Sequence, residues 1–277
     1  MEFSYTSNPG ILHDLELSDP QFVDETAFAF VWRVTRANGT LAALKLYHEK
    51  GMGSETTGFD FLTLHAAKFV AEVYFVEGRV ALIEWLPGAS LGDLTRQGDD
   101  EAACQHLVAV AKGIHAQALG LPTEYPTLDR WFQSLFKLKV AMIVSARHSA
   151  AVSKTKFLAQ LLLSSQEDVR VLHHDNIRGT DRGFCAFDAK GVVGEKTYEL
   201  ANAFRNPKGA PGLVCSPERI ERIANLWSQE FDVDKKRLLQ WAAAKCALSI
   251  AWRARGLLQD DPELDLLCTL LEFAEAA

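Results

Sequence analysis

The chain has 277 residues, 48% of them hydrophobic and 23% charged, which is enough for one large or two moderate domains with a sizeable core. A net charge of −7 argues against general binding to nucleic acid or anionic membranes, which needs a basic surface, and suits a cationic small molecule better. The opening residues lack a leader pattern, no apolar run reaches the ~18 residues of a membrane span, and five scattered cysteines lack C-x-x-C spacing, so we expect a cytoplasmic protein without a disulfide framework or zinc site.

Residues 28 to 36 place Phe28, Phe30, Trp32 and Val34 on one side, the period-2 pattern of a half-buried strand. Asn38-Gly39 supplies a hairpin turn, and Leu41 to Tyr47 returns as a second strand. Residues 54 to 68 predict a helix, which Gly58 weakens by ~1 kcal/mol relative to Ala. Val70 to Phe75 and Val80 to Trp85 predict another strand pair, after which Leu86-Pro87-Gly88 breaks regularity and the pattern turns mainly helical. Helices are expected over 100 to 118, 127 to 146, from the Ser216-Pro217-Glu218 cap onward, 235 to 255 and 262 to 275. The shift in composition places a lobe boundary near residue 87.

The chemistry begins with Leu172-His173-His174-Asp175-Asn176-Ile177 and, twelve residues after the Asn, Asp188 in Phe187-Asp188-Ala189-Lys190-Gly191. Gly183 to Phe187 can be a buried strand that delivers Asp188 at its end. A carboxylate and an amide oxygen are what a hard, partly hydrated Mg²⁺ needs beside nucleotide phosphates. Taken singly, each motif reads more readily as an Asx turn or a turn cap, and the two together at this spacing reverse that balance. Lys45 lies in the middle of an apolar strand, where an ammonium needs a partner, and Glu55 follows ten residues later. A Lys bonded to a helix Glu and to phosphates belongs to the same phosphoryl-transfer pattern, while a snorkelling edge lysine is the plain alternative.

Together with VWRV at 31 to 34, ALKLY at 43 to 47, EWLPGASL at 84 to 91, LHHDNI at 172 to 177, FDAKGVVGE at 187 to 195, YELANAFRNP at 198 to 207 and ALSIAW at 247 to 252, these pieces are collinear across most of the chain. They resemble the aminoglycoside phosphotransferases, and more closely the aminoglycoside/hydroxyurea antibiotic-resistance kinases, a branch that includes streptomycin phosphotransferases. The resemblance implies an α+β, protein-kinase-like two-lobe fold. Residues 1–87 would be a small antiparallel-sheet lobe that binds nucleotide, and 88–277 a larger, mainly helical lobe with the metal and substrate site. It further implies ATP and Mg²⁺ as cofactors and a small-molecule hydroxyl as acceptor. Lys45 would hold the α- and β-phosphates, Glu55 would orient Lys45, the backbone around Glu84 to Leu86 would read adenine, and Asn176 and Asp188 would be metal ligands. Glu195, Tyr198 and Glu199 fall where the family borders its substrate site, though surface or capping roles fit them equally.

Two departures stand out. The family's loop normally reads HGDLHHDN, with the proton-accepting Asp five residues before the Asn, and a gap-free alignment puts Val171 there and Val169 and Arg170 at the His and Gly. The alternative alignment deletes four residues from the loop. Either way the usual base is missing, leaving Asp175, His173, His174 or Asp168 to replace it. The expected activity is therefore an ATP- and Mg²⁺-dependent phosphotransferase, with a catalytically impaired pseudokinase that still binds nucleotide or ligand as the alternative. Secondly, the loop Asp24 to Phe30, expected over the phosphates, contains no glycine.

Overall fold

Alternation of apolar and polar side chains folds the first part of the chain into a five-stranded antiparallel sheet of order β1-β2-β3-β5-β4. The strands are β1 (Leu17–Glu25), β2 (Ala29–Arg36), β3 (Leu41–Tyr47), β4 (Val73–Glu77) and β5 (Val80–Glu84). This is a computed structural model, and it describes residues 10–48, 51–53, 55–65, 69–116, 120–174 and 176–277. Two compact units make up the chain: Met1–Gly88 with Asn176–Lys190, and Ala89–Asp175 with Gly191–Ala277. The sequence reading carried residues 176 to 190 with the helical part, whereas they cluster with the sheet.

In the first unit, Trp32 pairs with Leu44 and Val34 with Ala42, so these four side chains share one face and pack with Ile11, Leu17, Val80 and Leu82. Phe28, expected on that stripe, lies instead in the β1–β2 loop and is 62% exposed. That loop closes without glycine because the Thr26 hydroxyl accepts the N–H groups of Phe28 and Ala29. The opposite sheet face carries Ala43, Tyr47, Ala81 and Ile83, covered by Phe59 of the helix Glu55–Leu64. Ser54 and residues 66 to 68 of the expected helix lie outside the described residues. Strand β1 escaped the sequence reading because it is a largely exposed edge strand with Pro20 at a register shift, which breaks the alternation.

The hairpin Ile177–Thr180/Gly183–Ala186 joins the sheet through Val70 and Ala186, with Ala71 N–H to Ala186 O at 2.9 Å and Ala186 N–H to Phe69 O at 2.8 Å. At its far end Gly88 N–H donates to Gly179 O at 3.0 Å, and the Arg178 guanidinium to Gly88 O at 3.1 Å.

The second unit is built around the helix Lys235–Ala254, whose residues from Leu238 to Ala251 are almost all buried, as a helix apolar on every side requires. Asp234 caps it by accepting Arg237 N–H at 2.7 Å. Leu264–Ala276, Ala146–Ser164, Leu128–Lys137 and Pro217–Phe231 pack round it, the last opened by Ser216 accepting Arg219 N–H at 3.2 Å. The single helix expected over 127 to 146 is two elements. Leu128–Lys137 stops at Leu138, because Lys139 and Val140 pair with Leu257 and Leu258, and Ala146–Ser164 starts anew from the Ser145 cap. The helix expected over 100 to 118 is Asp100–His115, and its last positions, including Ala118, lie outside the described residues. Val169–Leu172 and Val192–Glu195 form a short antiparallel pair beside the 3₁₀ segment Lys196–Arg205. Among the described residues no helix is long and apolar enough to cross a membrane.

Candidate functional site

Because successive side chains of a strand alternate, Lys45 and Tyr47 leave β3 on one face. Glu55 occupies the first turn of the next helix, where the helix dipole favours a carboxylate. Lys45 Nζ stands 3.3 Å from Glu55 Oε2 and 2.9 Å from Asp188 Oδ1. The Tyr47 hydroxyl donates to the same Glu55 oxygen. Burial, reinforced by that bond, pushes the Tyr47 phenol well above its usual pKa, so it remains a donor. Lys45 is only 14% exposed, and a buried ammonium is tolerated when paired and hydrogen-bonded, which the two carboxylates provide.

Asp188 reaches this position through contacts around its own backbone. It adopts a left-handed conformation, φ 58°, directly after Phe187. Thr57 Oγ1 donates to Lys190 O at 3.1 Å, and Gly58 packs so closely on the chain that a Cβ there would lie 1.9 Å from Ala189 O. Gly58, read from sequence as a weak point of the helix, is what lets the helix approach this segment. Lys190 Nζ lies 3.4 Å from Asp188 Oδ2, so each carboxylate oxygen faces a different ammonium. Burial raises the Asp188 pKa, but Lys45 and Lys190 outweigh it and hold the carboxyl at about 2. Asn176, exposed at the start of the hairpin, pairs with the chain one residue before Asp188 through Phe187 N–H to Asn176 O at 2.9 Å.

Glu84 and Leu86 belong to the same unit. Glu84 bonds to Arg182, accepts Glu72 N–H at 3.1 Å, and gives its own N–H to Glu72 O at 2.8 Å. Leu86 forms a small buried apolar cluster with Ala71 and Cys185, against which Phe187 packs.

His173 and His174 belong to the second unit and gather round Glu199. Its carboxylate accepts His173 N–H at 3.0 Å, His174 N–H at 2.6 Å and a bond from His115 Nε2 at 2.9 Å. Burial would raise the Glu199 pKa, but the His115 bond and the neighbouring imidazoles bring it to about 2. The His174 ring stacks on Tyr198 at 4.3 Å, and neither of its nitrogens has a partner among the described residues. Burial pushes its pKa down to about 3, leaving it neutral and poorly suited to receive a proton near pH 7. Asp175, the third candidate base, lies outside the described residues. Glu195 is buried against Arg237, whose Nε and Nη2 stand 2.7 and 2.5 Å from it. Val171, where the gap-free alignment seeks an acid, is 7% exposed and paired with Val193.

Three neighbours of the candidate residues escaped the sequence reading. Tyr47 carried a signal, two positions from Lys45 on one strand face. Lys190 sat inside a quoted motif without a role. His115 carried none, being 84 residues from Glu199.

The model of the aminoglycoside/hydroxyurea antibiotic resistance kinase family matches residues 16–256. The chain is 33% identical over 206 residues to a streptomycin 3''-kinase of Klebsiella pneumoniae, covering 72% of this chain and 75% of that one. A thermostable mutant of an aminoglycoside phosphotransferase, solved in ternary complex with ADP and hygromycin B, matches with a TM-score of 0.66 at 14% identity, over 99% of this chain and 100% of that chain. Choline kinase from Streptococcus pneumoniae matches with a TM-score of 0.61 at 10% identity, over 96% and 97%. The fold is thus the α+β, protein-kinase-like arrangement of these small-molecule kinases.

Proposed function

The chain belongs to the aminoglycoside/hydroxyurea antibiotic resistance kinase family, and from that premise we propose that it is an ATP- and Mg²⁺-dependent phosphotransferase acting on a hydroxyl of a small, polar, cationic molecule. The observation that carries this reading is the Lys45–Glu55–Asp188 constellation, in which residues 143 positions apart meet at 2.9 Å. Lys45 would hold nucleotide phosphates with Glu55 and Tyr47 fixing its position, and Leu86 with its apolar neighbours would flank the adenine. The donor set fits Mg²⁺. That ion takes one or two carboxylates plus phosphate oxygens rather than an all-protein cage, and among the described residues no group of three or more His, Cys, Asp or Glu could form such a cage. Asp188 and Asn176 would hold it, and bound there it neutralises charge on the phosphates.

For proton acceptance we retain Asp175, which follows in the chain the two peptide N–H groups fixed by Glu199. The acceptor class rests on the family and on the net charge of −7, and streptomycin, the acceptor named for the Klebsiella relative, is the first to assay. A nucleotide-binding protein with impaired transfer is the second reading, favoured by the buried, strand-paired Val171.

The test is calorimetry and thermal melting with ATP and Mg²⁺, followed by transfer of labelled phosphate to an aminoglycoside panel. Nucleotide at 100 times its Kd should add about 2.7 kcal/mol of stability to the wild type. Asp188→Asn should abolish that gain while retaining the fold. Equal gains in both proteins would make Asp188 structural, and ATP binding without transfer to any acceptor would favour the second reading.

A further inference from the structure

Register orders the sheet face that carries Lys45. Ala42 stands opposite Glu84, Lys45 lies three residues further along β3, and Tyr47, two beyond it, pairs with Ala29, where β2 leaves the β1–β2 loop. A nucleotide with its adenine at Leu86 and its α- and β-phosphates at Lys45 therefore directs its terminal phosphate towards that loop, about 7 Å or two strand residues beyond Lys45. The loop offers it few donors. The N–H groups of Glu25 and Thr26 are spent on Asp24 Oδ1 and Ala29 O, both at 2.9 Å, and those of Phe28 and Ala29 on Thr26 Oγ1 at 3.2 and 3.0 Å. A backbone cradle for anions needs successive N–H groups turned outward instead. What the loop presents is the Phe28 ring, 62% exposed, on a backbone whose carbonyl accepts His48 N–H at 2.9 Å.

Resting on the nucleotide reading of this site, we propose that Phe28 shields the terminal phosphate from water: the β1–β2 loop covers that phosphate with an apolar ring in place of N–H donors, and so favours transfer over hydrolysis. In either reaction the bond between the terminal phosphorus and its bridging oxygen breaks, and ADP leaves with that electron pair. In transfer the phosphorus bonds to the acceptor oxygen, whose proton passes to the base. In hydrolysis it bonds to a water oxygen, giving inorganic phosphate and a proton. Water far outnumbers any acceptor, so keeping it from the phosphate is what separates the two outcomes. The absence of glycine from the loop then has a use, since the bonds that close it on the Thr26 hydroxyl also fix the backbone from which the ring projects.

The test measures ADP formed from ATP and Mg²⁺ without any acceptor in wild type, Phe28→Ser and Phe28→Leu, alongside the ATP affinity of each protein by calorimetry and its melting temperature. Phe28→Ser should hydrolyse ATP several-fold faster than wild type. Its ATP affinity should stay unchanged, because the ring gives no hydrogen bond to phosphate, and so should its melting temperature, because the side chain is mostly exposed. Phe28→Leu, which keeps an apolar cover, should hydrolyse ATP at close to the wild-type rate. Hydrolysis by Phe28→Ser no faster than by wild type would overturn the proposal, and so would a Phe28→Leu protein as fast as Phe28→Ser. Loss of ATP binding or of stability in Phe28→Ser would also overturn it, by making Phe28 a binding or structural residue. A wild type that binds no ATP would bring down the nucleotide reading and this one together, whereas unchanged hydrolysis in Phe28→Ser beside normal ATP binding brings down only this one.

Discussion

Restoring an acid at the position where a gap-free family alignment expects one should damage this protein. Val171 is 7% exposed, pairs with Val193 across the short Val169–Leu172/Val192–Glu195 ladder, and precedes Leu172, which is fully buried in the main core. Val171→Asp forfeits about 1.5–3 kcal/mol of apolar burial. A carboxyl left there without a partner costs a further ~1–3 kcal/mol. The total, about 2.5–6 kcal/mol, is a large share of a typical stability of ~5–15 kcal/mol and corresponds to a fall in melting temperature on the order of 10 °C. Val171→Ala, which removes carbon without adding charge, should cost about 2 kcal/mol, so the difference between the variants isolates the carboxyl. The sign with pH is fixed as well. Burial raises the folded-state pKa of the new acid above its unfolded value of ~3.9, so the penalty grows as pH rises from the unfolded towards the folded pKa, is complete above the latter, and shrinks towards pH 4. Urea melts of both variants at pH 4.5 and pH 8, with phosphate transfer measured in parallel, check each point. A Val171→Asp protein as stable as wild type and faster in transfer would refute the reasoning and restore the gap-free alignment.

Gly58→Ala, in an exposed helix interior, would stabilise by up to ~1 kcal/mol. Here the added Cβ meets Ala189 O at 1.9 Å, so chemical denaturation should show a loss of stability and calorimetry weaker ATP binding through displacement of Asp188. His174 titrates at about 3 in the folded protein against 6.5 as its ordinary value, so the unfolded chain binds the extra proton between those values and stability falls with pH across that window. His174→Asn, whose side chain tolerates the left-handed backbone at φ 58°, should flatten that decline in melts from pH 7 to pH 4, and an unchanged slope would place the acid sensitivity elsewhere.

Local chemistry made much of this site legible in the sequence. Alternation set the strand that carries Lys45, the first turn of a helix set Glu55, and a short apolar run ending in Asp188 marked the third member. The motifs carried the family, and with it the fold. What the sequence left open depends on contacts between distant segments, for which no local pattern exists. Glu84 and Arg182 lie 98 residues apart, and their bond, with the Val70–Ala186 bridge, fixes the Asn176–Lys190 hairpin to the sheet. The chain ends its helix at Leu138 because a partner strand at Leu257–Leu258 exists in space, and nothing between 127 and 146 announces it. Glu199 is defined by His115 and two peptide N–H groups, a match of position rather than of residue type. Gly58 shows the difference most plainly. Read along the chain it weakens a helix, and in three dimensions it is the close approach that brings Asp188 to Lys45.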